Sequence, residues 1–342
     1  MADRFQILIT GAAGYIGSHT VVELFKAGFE PILIDNFINS EPKVIENLKQ
    51  ITGKEISFYE GDCNDKEFLN IIFKRHKNIK GVIHFAAHKS VGESVTEPIK
   101  YYENNIGSLL VLLKEMKENK VSNIVFSSSC TVYGQPDQLP VTEKTPQKTA
   151  ESPYGKTKQM CEAILEDVVN SKAKIKAIAL RYFNPVGAHP SALIGELPRG
   201  VPNNLVPYVT QTAAGIREKL TIFGNDYNTS DGTCLRDFIH VVDLAKAHVK
   251  AFDYLEKQQE ESFYDIFNVG TGGGNTVLEV VKTFEKISGK KLNYSIGDRR
   301  EGDIEKIYAN VDKAQTLLGW KAEHSFEEAL TDSWRWQETL KK

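Results

Sequence analysis

Cysteine is scarce and scattered. Cys63, Cys130, Cys161 and Cys234 are spread over 342 residues, and none stands in a CxxC pair. Neither a metal site nor a disulfide framework is therefore expected. Charge of one sign is also lacking. With 42 Lys and Arg against 45 Asp and Glu, the formal net charge is −3. No global basic field points to nucleic acid, though local cations could still hold a phosphorylated small molecule. No run approaches the roughly 18 apolar residues of a membrane span. The N-terminal MADRFQILITGAAGYIGSH superficially resembles a signal peptide. Thr10 and the glycines interrupt its apolar part, so it reads as a strand and a turn. A cytoplasmic protein is expected, with no membrane and no nucleic-acid partner. Internal repeats and low-complexity segments are also lacking.

What is present is alternation. QILIT (Gln6–Thr10), PILID (Pro31–Asp35), ISFYE (Ile56–Glu60), GVIHFAA (Gly81–Ala87), NIVFSSS (Asn123–Ser129) and IKAIALRY (Ile175–Tyr182) are short, nearly continuous apolar runs. Strands buried on both faces have this character. Helical patterns lie between them, clearest at Tyr101–Lys120 and Pro153–Ser171. The spacing predicts an α/β fold, a Rossmann-type doubly wound parallel sheet. After Asn184 the rhythm breaks in NPVGAHPSALIGELPRGVPNN, long for a connection within a regular sheet. Helices are expected from Leu205, from Val242 and over Val277–Ser288. The expected division is 1–183, with returning segments near 238–270, for the sheet domain. Residues 184–237 and 271–342 would form a smaller mixed α/β C-terminal domain.

Directly after the first strand, TGAAGYIG places Gly11, Gly14 and Gly17 where a helix begins. A tight turn there aims backbone N–H groups and a helix N-terminus at a pyrophosphate, and side chains would obstruct the approach. Asp35 ends the second strand about twenty residues on, where the dinucleotide fingerprint expects an acid. Its carboxylate would accept from a ribose diol and repel a 2′-phosphate, favouring NAD over NADP. GTGGGN has Asn275 where the fingerprint needs its third glycine, so it reads as a turn and cap before the Val277 helix.

NIVFSSS ends in hydroxyls at a strand's C-terminal end, the side on which open α/β sheets bind ligands. Tyr154 and Lys158 follow in SPYGKTK, i and i+4 on one face of a helix opened by Pro153. A free phenol, with pKa near 10, is a poor base at neutral pH. A neighbouring ammonium and an oxidised nicotinamide would stabilise the phenolate. The phenolate could then take a proton from a substrate hydroxyl while a serine orients that oxygen. Taken alone, each residue reads otherwise: Tyr154 as packing, Phe223 as core, Asn184 as a turn residue, Arg236 and Arg300 as surface or ion-pair arginines. Arginine forks also suit a diphosphate.

TGxxGxxG, the serines and YxxxK together resemble the extended short-chain dehydrogenase/reductases. Further stretches narrow the resemblance: GAAGYIGSH, HFAAHKSVGES, FSSSCTVYG, RYFNPVGAHPS, VPNNLVPYV, IFGNDYNTSDGT, RDFIHVVDLA and GDRREGD. Nearly end to end, the chain is similar to the UDP-glucose 4-epimerase (UDP-galactose 4-epimerase) family. The resemblance implies an isomerase of galactose metabolism with tightly held NAD. Such an enzyme interconverts UDP-glucose and UDP-galactose through a 4-keto intermediate, commonly as a homodimer. It implies catalytic roles for Ser129, Tyr154 and Lys158. It implies an NAD site of Gly11, Gly14, Tyr15, Ile16, Gly17, Asp35, Asn36, Asn39, Ser40, Asp62, Cys63, Phe85, Ala86, Ala87, Lys89, Asn104, Ser127, Tyr154, Lys158 and Tyr182. For the UDP-sugar it implies Lys89, Ser129, Thr131, Tyr154, Asn184, Asn204, Leu205, Phe223, Arg236, Arg300 and Asp303. Cys130 departs from the family's usual small residue. Ile307 falls where the family lines the sugar pocket, and its bulk would disfavour N-acetylated sugars. Two alternatives stay open. A nucleotide-sugar 4,6-dehydratase would need an Asp-Glu pair after Thr131, where Val132 and Tyr133 stand. An NAD-sensing protein without turnover is the other.

Overall fold

The computed structural model describes residues 5–300 and 302–340, so residues 1–4 of the N-terminal stretch and Glu301 of GDRREGD lie outside it. The expected strands form as β1 (Gln6–Thr10), β2 (Glu30–Asp35), β3 (Ser57–Glu60), β4 (Ile79–His84), β5 (Asn123–Ser127) and β6 (Lys176–Tyr182). A seventh strand, Phe263–Val269, joins the edge beyond β6. All seven run parallel, in the order seventh strand, β6, β5, β4, β1, β2, β3. Alternation within β1 shows why continuous apolar runs were needed. Ile7 and Ile9 enter one core, and Leu8 enters the other.

Ten α-helices are described: α1 (Tyr15–Lys26), α2 (Lys43–Thr52), α3 (Lys66–Arg75), α4 (Val91–Thr96), α5 (Pro98–Glu118), α6 (Pro153–Asn170), α7 (Leu205–Ala213), α8 (Val241–Glu256), α9 (Val277–Ser288) and α10 (Phe326–Thr339). One face of the sheet packs on α1 and α8 through Val21, Leu24, Leu244, Phe252 and Leu255. The other packs on α3, α5 and α6 through Leu69, Phe73, Leu109, Leu112, Cys161 and Leu165. The apolar stripes of α5 and α6 thus cover the sheet. Among the described residues no helix is long and apolar enough to cross a membrane.

A smaller core gathers Val206 and Val209 of α7, Leu220, Ile222, Val280, Phe284 of α9, and Leu330 and Trp334 of α10. Its strands are short and mixed. Asn275–Thr276 lies antiparallel to Leu235–Arg236, whereas Leu220–Phe223 runs parallel to Tyr294–Gly297. As read from GTGGGN, the chain turns and caps α9: Thr276 makes a capping box with Glu279. Asn275 takes no part in that cap and is a strand residue instead. The segment around 314–320 differs from the expected division, because Ala314, Leu318 and Trp320 join the core of the large sheet beside α8 and the seventh strand.

Candidate active site

Strand order reverses between β1 and β4, which are neighbours although β2 and β3 intervene in sequence. The loops leaving their C-terminal ends therefore diverge and open a crevice, where such sheets bind ligands. The glycine turn follows β1 and the Phe85–Lys89 segment follows β4. Between them lies a cavity of about 650 Å³, and every residue expected at the NAD site lines it.

Two glycines are required by the fold itself. Gly11 has φ +69°, and a Cβ there would fall 2.8 Å from the Ala86 nitrogen; at Gly17 it would fall 2.2 Å from the Gly11 oxygen. Gly14 is different. A Cβ would meet only the Gly11 oxygen at 3.2 Å, yet Gly14 lines the cavity at the start of α1, whose N-terminus no side chain caps. Uncapped N–H groups and a small residue facing a cavity fit a diphosphate. Asp35 is nearly buried and accepts from three donors of this chain: Ala13 N at 2.9 Å, Phe37 N at 2.9 Å and Ser40 Oγ at 2.7 Å. The carboxylate thus ties the glycine turn to the end of β2 as well as facing the cavity.

Ser152 caps α6 by accepting from Gly155 N at 3.2 Å, and Pro153 opens the helix. This places Tyr154 and Lys158 on the cavity wall, both buried. Lys158 Nζ donates to the Ser127 carbonyl oxygen at 2.6 Å and lies 5.9 Å from the centre of the Tyr154 ring. Burial pulls the Lys158 ammonium down to about 8, opposed by Cys161 and Glu162. Burial pushes the Tyr154 phenol well above its ordinary value and Tyr182 adds to the rise, while a hydrogen bond with Ser129 opposes it. Burial therefore dominates at the Tyr154 phenol.

The strand-end serines are held separately. Ser127 Oγ meets the Tyr182 hydroxyl at 2.8 Å. Ser128 Oγ donates to Glu162 Oε1 at 2.5 Å, and Glu162 forms a buried ion pair with Arg181, Nη2 to Oε2 at 2.6 Å. Ser129 Oγ accepts from the Thr131 hydroxyl at 3.0 Å.

The residues expected at the UDP-sugar divide. Lys89, Tyr154 and Asn204 line the cavity, but Ser129, Thr131, Asn184, Leu205, Phe223, Arg236, Arg300 and Asp303 are not part of its wall. Four of these meet one another. Asp303 Oδ1 accepts from Arg300 Nη2 at 2.6 Å and lies 3.7 Å from Arg236 Nη2, and Arg300 stands 5.8 Å from the centre of the half-exposed Phe223 ring. Leu205 opens α7, and Asn184 N bonds the Asp237 oxygen at 2.9 Å. Ile307 is buried in a small cluster with Val132, Tyr133 and Phe183.

Sequence reasoning missed the strap made by the long segment after Asn184. The Leu193 carbonyl accepts from Asn47 of α2 at 2.7 Å, Arg199 donates to the Ile38 carbonyl at 3.1 Å, and Asn203 donates to Ser90 Oγ at 3.2 Å. All six residues line the cavity, with Leu193, Arg199 and Asn203 on the strap and Asn47, Ile38 and Ser90 facing them. Only the segment's unusual length signalled it.

Comparison with known proteins decides the family. The family model of GDP-mannose 4,6 dehydratase matches residues 8–333. The UDP-glucose 4-epimerase of Bacillus subtilis (strain 168) is 52% identical over 331 residues, 97% of this chain and 96% of that protein. The chain belongs to the UDP-glucose 4-epimerases of that dehydratase family. Two solved UDP-glucose 4-epimerases share the fold at high identity. The Bifidobacterium longum structure, in complex with NAD+ and UDP, is 47% identical with a TM-score of 0.93 over 98% of both chains. The Stenotrophomonas maltophila structure, with bound NAD and formylated UDP-arabinopyranose, is 43% identical with a TM-score of 0.95 over 99% of both. As in the sequence reading, this epimerase-family chain lacks a dehydratase's acid–base pair: Val132 and Tyr133 are fully buried in an apolar cluster.

Proposed function

We infer that the chain is an NAD-dependent epimerase interconverting UDP-glucose and UDP-galactose through a 4-keto intermediate. The observation that carries this is the shared cavity: Tyr154 and Lys158 stand on the same wall as the uncapped glycine turn. NAD, held by the residues lining this cavity, would supply reversible hydride transfer at C4 of the sugar. The residues of the chain do the rest. Tyr154 takes the proton of the C4 hydroxyl and later gives it back. Ser129 and Thr131 orient that oxygen. Lys158, fixed by the Ser127 carbonyl, contributes a positive charge that assists the nicotinamide in offsetting burial of the phenolate. Gly11, Gly14 and Gly17 shape the diphosphate cradle, and Asp35 receives the adenosine ribose. Arg236, Arg300 and Asp303 hold the UDP diphosphate, with Phe223 against the uracil and Asn184, Asn204 and Leu205 around the nucleotide.

In this assignment the seven-stranded sheet carries NAD and the smaller core carries the UDP-sugar. We place the protein in the cytoplasm as a homodimer. Exposed Val95, Ile99, Leu110 and Met160 on α4, α5 and α6 support an apolar seam. Sedimentation at micromolar concentration tests this, and a monomer refutes it. The activity is tested by incubating purified protein with UDP-galactose and no added NAD. UDP-glucose is the expected product. A 4-keto-6-deoxy sugar would mean a dehydratase, and unchanged substrate a sensor.

A further inference from the structure

The strap carries a carboxylate that has no place in this mechanism. Glu196 is nearly buried, its side chain 10% exposed, and it lines the cavity. One of its oxygens, Oε1, takes two partners: Lys89 Nζ at 3.2 Å and the Asn204 amide at 2.6 Å. Lys89 comes from the segment after β4, on the cofactor side. Asn204 stands at the N-cap position of α7, on the substrate side, and its side chain does not cap the helix. The amide is committed to Glu196 instead.

The main chain at Glu196 is fixed independently of its side chain. Its carbonyl oxygen accepts from Trp336 Nε1 of α10 at 2.9 Å. Gly195 lies so close under the Trp336 ring that a Cβ would fall 2.5 Å from it. With the backbone pinned, the carboxylate is held where a flexible lysine and an amide converge. Both bonds are charge-assisted, and they reach from the nearly buried carboxylate to more exposed partners, the Lys89 side chain being 50% exposed.

We propose that Glu196 is a positioning residue that couples the cofactor side of the site to the substrate side by orienting Lys89 and Asn204 together. The proposal rests on the reading that Lys89 meets NAD and Asn204 meets the UDP-sugar. Because both bonds share one oxygen, drawing Lys89 toward an anion releases Oε1 to Asn204. Occupancy on one side thereby changes the orientation of the amide on the other. A residue that only braced the strap would not do this.

The test uses NAD-loaded wild type, Glu196→Ala, Glu196→Gln, Asn204→Ala and the Glu196→Ala/Asn204→Ala double variant. UDP is titrated into each, UDP-galactose turnover is measured alongside, and retained NAD is read by absorbance after gel filtration. Asn204→Ala should weaken UDP binding. Glu196→Ala should raise KM by about tenfold, the equivalent of one charge-assisted hydrogen bond, with kcat within about twofold. The double variant should bind UDP no more weakly than Asn204→Ala alone, since the two substitutions remove one interaction. Glu196→Gln keeps an acceptor for Asn204 but loses the charge facing Lys89, so it should recover most of the UDP affinity while releasing NAD faster. Unchanged KM in Glu196→Ala beside a raised one in Asn204→Ala would overturn the proposal, as would additive losses in the double variant. If Glu196→Ala does not fold, Glu196→Gln decides, and NAD release at the wild-type rate rejects the coupling. Unchanged UDP affinity in Asn204→Ala overturns the substrate-side assignment itself, and the proposal with it.

Discussion

Lys158 donates its hydrogen bond to the Ser127 carbonyl oxygen, 2.6 Å away, and acts on Tyr154 across a further gap, 5.9 Å from ammonium to ring centre. The amine is thus anchored to the strand end rather than to the phenol it assists. Removing the phenol oxygen leaves that anchor intact. Tyr154→Phe should keep bound NAD, seen as cofactor absorbance that survives gel filtration. Its kcat should fall by roughly 10²–10⁴, the range for acid–base residues. Near-normal turnover would end the assignment of Tyr154 as base.

Asp35 does more than its place in the fingerprint implied. With Ala13 N, Phe37 N and Ser40 Oγ all bonded to it, Asp35→Ala leaves donors unpaired at the glycine turn. The loss should be about 1–3 kcal/mol of stability, alongside weaker NAD binding and poorer discrimination against NADP. Urea denaturation and cofactor titration separate the two effects. Unchanged stability with lost cofactor preference would restrict Asp35 to the ribose.

Glu162 and Arg181 are buried as a pair beneath the strand-end serines, with Gln147 and Ser128 also bonded to the carboxylate. Glu162→Ala should cost about 3–5 kcal/mol, because it leaves a guanidinium charge buried without its partner. A loss below about 1 kcal/mol in urea would show the site relaxing to admit water.

Three buried histidines set the acid limit of stability. Burial holds His19 and His84 down to about 3 and His248 to about 4, against an ordinary value of 6.5. Their native values lie below the unfolded one, so the unfolded chain binds more protons in that window. The stability they contribute is complete above pH 6.5 and is lost as pH falls from there toward 4 and below. Urea midpoints should be level near pH 7.5 and fall steeply between pH 6 and 4. His248→Phe, beside the Phe85 ring, should reduce the slope by about one proton. An unchanged slope would place the proton uptake elsewhere.

The large sheet was legible because its strands are buried on both faces, which leaves an apolar signature that neighbouring residues alone reveal. Phe263–Val269 escaped because it is an edge strand, half-exposed over Phe263–Ile266, and carries a polar Asp265. The cradle was legible for a similar reason: Gly11 and Gly17 answer to contacts within a few residues or one strand away. Glu196 was not legible. Its bond to Lys89 spans 107 residues, and nothing in GELPRG marks the glutamate as aimed at a lysine after β4. The Asp303 link between two arginines shows the intermediate case. Arg300 is local to it, while Arg236 arrives through the pairing of Leu235–Arg236 with Lys306–Ile307.

The fastenings of Asn47, Arg199 and Asn203 across the cavity mouth bear on how the reaction stands toward its surroundings. The three bonds tie the strap to Asn47, Ile38 and Ser90 around the same cavity that holds the glycine turn. In an epimerisation the hydride removed is the hydride returned, so the oxidant is reset within every cycle. The balance between the two sugars follows their own relative free energies, untouched by how oxidised or reduced the surrounding nucleotide pool happens to be.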